Sequence, residues 1–153
     1  MKALLFIDPA SVSTGWATLV NGVICEHGTI DVNKKYPANR RLALLRDRYF
    51  SLVQQLELAM SQRFGEISEI EFCHIERMNY RVHFLVSWSI GAIVSAISGY
   101  GIDCDADISP TAWQKTVDWK GKRGPLRAYI NEVQSEDELA AIGMAIHWRE
   151  THK

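Results

Sequence analysis

The chain has 153 residues, 47% of them hydrophobic and 23% charged, with a net charge of −1; this suits one domain, residues 1–153, with a real core, and excludes a disordered chain. No apolar run reaches the roughly 18 residues a membrane helix needs, and no small-residue cleavage site follows Met1–Leu4, which speaks against a secretory signal. Cys25, Cys73 and Cys104 are too few and too scattered for a disulfide frame or a zinc site, so reduced thiols in a cytoplasm are expected.

Residues 2–7 (KALLFI) form a continuous apolar run that ends at Asp8. Such a run reads as a strand covered on both faces. Residues 14–20 and 23–30 are β-rich and flank Asn21-Gly22, the strongest short signal for a hairpin. Between Asn39 and Arg63 the period changes. Leu42, Leu45, Tyr49, Leu52, Val53, Leu56 and Met60 recur at three and four, which predicts a long amphipathic helix. Residues 69–76 (EIEFCHIE) read as a fourth strand. Residues 81–98 read as a second helix, ended by Gly99 and Gly101. Residues 102–108 predict a short fifth strand. Ser109-Pro110 opens another helix, with proline where its missing N–H costs nothing. A basic connection with Gly121 and Gly124 follows. The last helix starts at Ser135, whose spacing to Glu138 is that of a capping box. The order β-β-β-α-β-α-β-α-α implies an α/β fold with a mixed five-stranded sheet flanked by helices.

Three acids sit at element ends. Asp8 closes the most buried strand, and Asp-Pro there is also an ordinary turn. Glu76 ends the fourth strand, where a solvent-facing acid is the plain alternative. In open α/β sheets functional groups collect at the carboxyl ends of parallel strands. If the first and fourth strands are neighbours, Asp8 and Glu76 face each other, and two close carboxylates repel unless a cation joins them. Carboxylate and water ligands suit Mg²⁺ or Mn²⁺. Asp137 lies in the first turn of the last helix, where the helix dipole alone favours acids such as Glu136, Asp137 and Glu138.

These segments resemble the RuvC-type Holliday junction resolvases of the ribonuclease H-like superfamily. Phe6-Ile7-Asp8-Pro9-Ala10-Ser11 followed by Thr14-Gly15-Trp16 is similar to that family's first-strand motif. His74-Ile75-Glu76-Arg77, then Ser89-Ile90-Gly91-Ala92, resembles its IE motif and small-residue helix. Ser109-Pro110-Thr111-Ala112-Trp113-Gln114-Lys115 resembles its P-x-x-W/V-K region. Asp137 to Ala145 (DELAAIGMA) resembles D-x-x-D-A-I-G-x-A. One departure is sharp: Ala140 stands where the family's second acid would lie one helical turn after Asp137. An inactivating substitution, replacement by Glu136, or a weak or dead member would each account for it, and the intact motif around Ala140 favours the first.

The resemblance implies two divalent ions about 4 Å apart that clamp the scissile phosphate. It puts Asp8 between both ions, Glu76 on one, and Asp137 with the missing acid of position 140 on the other. Symmetric nicking would leave a 5′ phosphate and a 3′ hydroxyl. The partner implied is branched DNA, a four-way junction, and cutting two symmetric strands implies a homodimer. Ser87, Ser89, Gly91, Ala92 and Ser95, with Trp88 as anchor, could supply its interface. Lys115, Lys120, Lys122 and Arg123, close to Trp113, Trp119 and Tyr129, are the leading phosphate contacts. Arg77, Asn79, Tyr80 and Arg81 follow Glu76 directly, and Tyr80 could stack on a base at the branch. Arg40, Arg41, Arg46 and Arg48 read as the solvent face of a long helix. His27, His74, His83 and His147 lack spaced partners and read as structural. Asp103, Asp105 and Asp107 alternate and read as a wet sheet face. The short chain hints at a phage member. Two other functions stay open: a non-catalytic nucleic-acid-binding module, favoured by Ala140, and a ribonuclease H-like nuclease on RNA·DNA hybrids or other substrates.

Overall fold

The computed structural model describes residues 2–10, 12–66, 68–77 and 84–153. Its five strands order as β3-β2-β1-β4-β5. The central strand β1 (Lys2–Asp8) pairs antiparallel with β2 (Ser13–Val20) and parallel with β4 (Glu69–Glu76). β2 pairs antiparallel with β3 (Val23–Asp31), and β4 pairs parallel with β5 (Asp103–Ile108). The mixed sheet expected from the sequence is therefore present. Asn21 and Gly22 turn the β2–β3 hairpin with φ of 50° and 78°, the left-handed pair that a two-residue type I′ turn requires.

β1 is apolar from Ala3 to Ile7, as suits a strand with helices on both faces, and its alternation divides these residues between two cores. Ala3, Leu5 and Ile7 pack with Leu45, Tyr49, Val53, Ile93 and Ile97 of α1 (Ala38–Phe64) and α2 (Phe84–Gly99). Phe6 packs on the other side with Trp113 of α3 (Pro110–Thr116) and with α4 (Glu136–Thr151). The period-3.6 stripe in α1 faces the first core, and Gly65 closes the helix in the left-handed conformation. Arg40, Arg46 and Arg48 are exposed as expected, while Arg41 is half-buried.

α4 is buried over residues 138–146 without a break. Its run of Leu, Ala, Ile, Gly and Met is that of a helix wedged between a sheet and a neighbouring helix rather than laid on a surface. Gly143 permits this, because a Cβ there would approach the Trp113 ring to 2.8 Å. The basic connection expected after α3 holds a short 3-10 turn, Pro125–Ala128. Residues 81–83, expected at the start of the second helix, lie outside the described residues. Among the described residues no helix is long and apolar enough to cross a membrane.

Candidate active site

β1 and β4 run parallel as neighbours, with Phe6 opposite His74 and Ile7 opposite Ile75. Phe6 and His74 stack at 5.1 Å on the α4 side of the sheet. Two residues further along each strand, alternation carries Asp8 and Glu76 onto the same side at the carboxyl edge. The third acid arrives through Gly15. This residue pairs with Asp8 across β1 and β2, and a Cβ on it would run into the carbonyl of Asp137 and the amide nitrogen of Glu138. Glycine thus lets the first turn of α4 sit directly on the sheet. The start of the helix lands beside Asp8, and Asp137 with it.

The resulting electrostatics are unfavourable for a protein left to itself. Burial is the largest influence on Asp8, followed by the negative charges of Glu76 and then Asp137, and together they push its pKa from an ordinary 3.8 up to about 9. Burial also raises Glu76. Opposing that, the Trp113 indole Nε1–H donates to Glu76 Oε2 at 2.5 Å and favours the carboxylate. Asp8 is within hydrogen-bond reach of both other acids, whereas Glu76 and Asp137 act on each other through charge alone. Among the described residues no group of three His, Cys, Asp or Glu side chains is drawn into a ready-made ligand arrangement. The contacts run pairwise through Asp8. None of the three acids forms an ion pair with a described Lys or Arg. An all-oxygen donor set of crowded carboxylates without a cation fits a hard divalent ion such as Mg²⁺ or Mn²⁺.

The other acids of α4 do not fill the gap at position 140. Ala140 is 4% exposed and packs in the apolar cluster that includes Trp113. Glu136 is exposed, its Oε2 3.8 Å from Lys122 Nζ, and it is not among the largest influences on Asp8. Glu138 is buried but engaged elsewhere. The Ser135 side chain caps the helix by accepting the Glu138 N–H at 3.1 Å. The reciprocal half of the expected capping box is shifted, because Glu138 Oε2 accepts the N–H of Gln134 instead, at 2.8 Å. Its Oε1 lies 2.6 Å from His27 Nδ1.

Three of the histidines that lack partners at close sequence spacing have partners distant in the chain. His27 meets Glu138, His147 Nδ1 lies 2.7 Å from the Thr116 hydroxyl, and His74 Nδ1 lies 2.9 Å from Asp107. Burial lowers the pKa of His74 against the opposing pull of Asp107. Asp103 and Asp105 are exposed as expected, but Asp107 is half-buried against His74. His83 lies outside the described residues.

Of the expected DNA contacts, Arg77, Lys115, Lys120 and Arg123 are exposed. Lys122 is half-buried: its Nζ donates to the carbonyl of Trp119 at 3.1 Å and sits 4.2 Å from the centre of that ring. Asn79, Tyr80 and Arg81 lie outside the described residues. On α2, Ser87, Trp88, Gly91 and Ser95 are exposed and line, with Leu42 and Arg46 of α1, an open groove of about 540 Å³. Ser89, expected in that stripe, is buried and donates its hydroxyl to the carbonyl of Leu85.

No protein-family model matches the chain, and no curated protein sequence does. Solved structures do. RuvC from T. thermophilus in complex with a Holliday junction substrate superposes with a TM-score of 0.69 over 99% of this chain and 97% of that one, at 16% identity. A second Thermus thermophilus RuvC structure gives a TM-score of 0.64 over 97% and 96%, also at 16% identity. The chain thus has the ribonuclease H-like fold of these RuvC structures, a mixed five-stranded sheet flanked by helices.

Proposed function

We propose that the chain is a divalent-metal-dependent endonuclease acting on branched DNA, with Asp8, Glu76 and Asp137 as the carboxylates that hold the metal. One observation carries the reading: Asp8 is buried against two other acids at the carboxyl edge of parallel strands, an arrangement that the metal-free chain relieves by keeping a proton on Asp8 and that a bound divalent ion would relieve in its place. A bound Mg²⁺ or Mn²⁺ supplies a water of lowered pKa and positive charge against a phosphate. The chain's own residues do the rest. Asp8 stands between the other two acids, and Trp113 fixes the orientation of Glu76. Arg77, Lys115, Lys120 and Arg123 offer exposed cations for phosphate, and Lys122 lies over the Trp119 ring. A second copy docking through the α1–α2 groove around Trp88 would present two such sites to two symmetric strands. The substrate reading draws on the junction-bound protein that shares the fold.

A second reading has its own observation. Ala140 offers no oxygen and is packed among apolar side chains, which favours a junction-binding module that lacks strand cleavage. One experiment separates the two. A four-way junction, a flap and an RNA·DNA hybrid are incubated with the chain and with Ala140→Asp, with and without Mg²⁺. Symmetric nicking of the junction by Ala140→Asp, lost on further substitution Asp8→Asn, supports the nuclease. Tight junction binding with no cleavage by either protein supports the binding module and overturns the nuclease.

A further inference from the structure

Beside the acidic site lies a second polar cluster that the three metal-facing acids do not use. It ties the first turn of α4 to β3, the outer strand of the sheet. Glu138 is 3% exposed. Its Oε1 lies 2.6 Å from His27 Nδ1, an imidazole N–H donating to a carboxylate, and its Oε2 accepts the Gln134 N–H at 2.8 Å and the Thr29 hydroxyl at 3.3 Å. Thr29 Oγ1 lies 2.8 Å from the Ser135 hydroxyl, which in turn accepts the Glu138 N–H. The far side of the His27 ring, Nε2, lies 3.8 Å from the Glu132 carboxylate.

We propose that Glu138, His27 and Thr29 are positioning residues that hold Asp137 at the distance from Asp8 at which the two can share a cation; the proposal rests on the metal-binding reading above. The geometry leaves few other means. The first turn of a helix has amide groups without partners inside the helix and frays readily. Under this turn lies Gly15, a seat without a side chain to catch it. Asp137 has no described ion pair or side-chain hydrogen bond to a neighbour other than Asp8. Its place is set by the residue that follows it, and that residue is anchored to β3 through buried, charge-assisted bonds that are short and directional. Partners that orient ligands in this way typically change metal affinity by roughly 10- to 100-fold when lost.

The test measures Mn²⁺ affinity by the loss of the free-ion paramagnetic resonance signal, together with amide hydrogen exchange in metal-free protein. The variants are Glu138→Ala, Glu138→Gln and Thr29→Val, the last nearly isosteric and a safeguard should the first fail to fold. The expected result is a loss of Mn²⁺ affinity of roughly tenfold or more in Glu138→Ala, a smaller loss in Thr29→Val, and partial rescue by Glu138→Gln, which can still accept from Gln134 and Thr29. Exchange should rise at residues 136–139 and stay slow at residues 142–146. Unchanged affinity in Glu138→Ala or Thr29→Val, with the wild-type chain binding Mn²⁺, overturns the proposal. Absence of Mn²⁺ binding by the wild-type chain overturns the metal reading and this proposal with it. Faster exchange at residues 136–139 in that same case shows that the tie exists and serves the helix alone.

Discussion

Asp137 and Glu138 are neighbours in one helical turn, yet their surroundings are opposite. Glu138 is the more deeply buried, and every part of its carboxylate is answered by an N–H or O–H donor. Asp137 faces Asp8, which in turn faces Glu76, so three acids meet without a described basic partner. Matched donors offset the cost of burying a charge, whereas like charges add to it. A fold keeps the second kind where something outside the chain completes it. Depth of burial therefore does not separate structural from functional acids here; the sign of what surrounds them does.

Gly15→Ala would erase the contrast most completely. Its Cβ would occupy the space of the Asp137 carbonyl, so either α4 lifts from the sheet or the strand shifts. Overpacking of backbone against backbone costs about 3 kcal/mol or more, and in a chain of this length that lowers Tm by roughly 6–12 °C. Because the lifted turn carries Asp137, divalent-ion affinity should fall with it, read by calorimetric titration of Mg²⁺ into the folded variant below its Tm. Retention of full affinity would show that Asp137 does not depend on this seat.

The pH dependence of stability sharpens the comparison. Asp8 binds its proton more tightly folded than unfolded, so between about 4 and about 9 the native state holds a proton that the unfolded state has released. Stability of the metal-free chain should therefore fall as pH rises through that window, and the raised Glu76 adds to the slope. Asp8→Asn removes the like charge at its centre and should flatten the slope while raising Tm in EDTA by a few degrees. Added Mg²⁺ should stabilise the wild-type chain, most strongly at the alkaline end where it competes with fewer protons, and should do little for Asp8→Asn. Scanning calorimetry from pH 5 to 9, with and without Mg²⁺, checks both; a flat wild-type profile in EDTA contradicts the assignment of Asp8.

What was legible in the sequence follows from how far apart the interacting residues are. The strand runs, the Asn21-Gly22 turn and the α1 stripe are local patterns, and each appears where it is expected. Asp8 and Glu76 came within reach because the rule about parallel strand ends needs only strand neighbours, and those neighbours are found. Asp137 was not separable from Glu136 and Glu138 by physics, since all three suit a helix N-terminus; only the family resemblance singled it out. The contacts that give these acids their different roles were hidden. Gly15 matters because of a helix more than a hundred residues later in the chain. His27 and Glu138 are 111 positions apart, and Trp113 and Glu76 are 37 apart. Spacing rules carry no information about such pairs, which is why His27 read as a lone histidine and Trp113 only as part of a motif.

The smallest expected effect concerns Trp113, the one described neutral donor that reaches into the acidic group. Its indole N–H holds one oxygen of Glu76, and this contact opposes the burial that would otherwise keep Glu76 protonated. Phenylalanine keeps most of the ring volume against Gly143 and the rest of the cluster, so Trp113→Phe removes a hydrogen bond without opening a large cavity. Glu76 is half-buried and can recover part of the lost bond from water. The net loss should be about 1 kcal/mol, seen as a roughly fivefold weaker divalent-ion affinity and a further upward shift of the Glu76 titration by NMR. The two readouts must move together. If affinity falls while the Glu76 titration stays in place, the indole acts on packing alone, and the tuning of the acidic group belongs to the three carboxylates themselves.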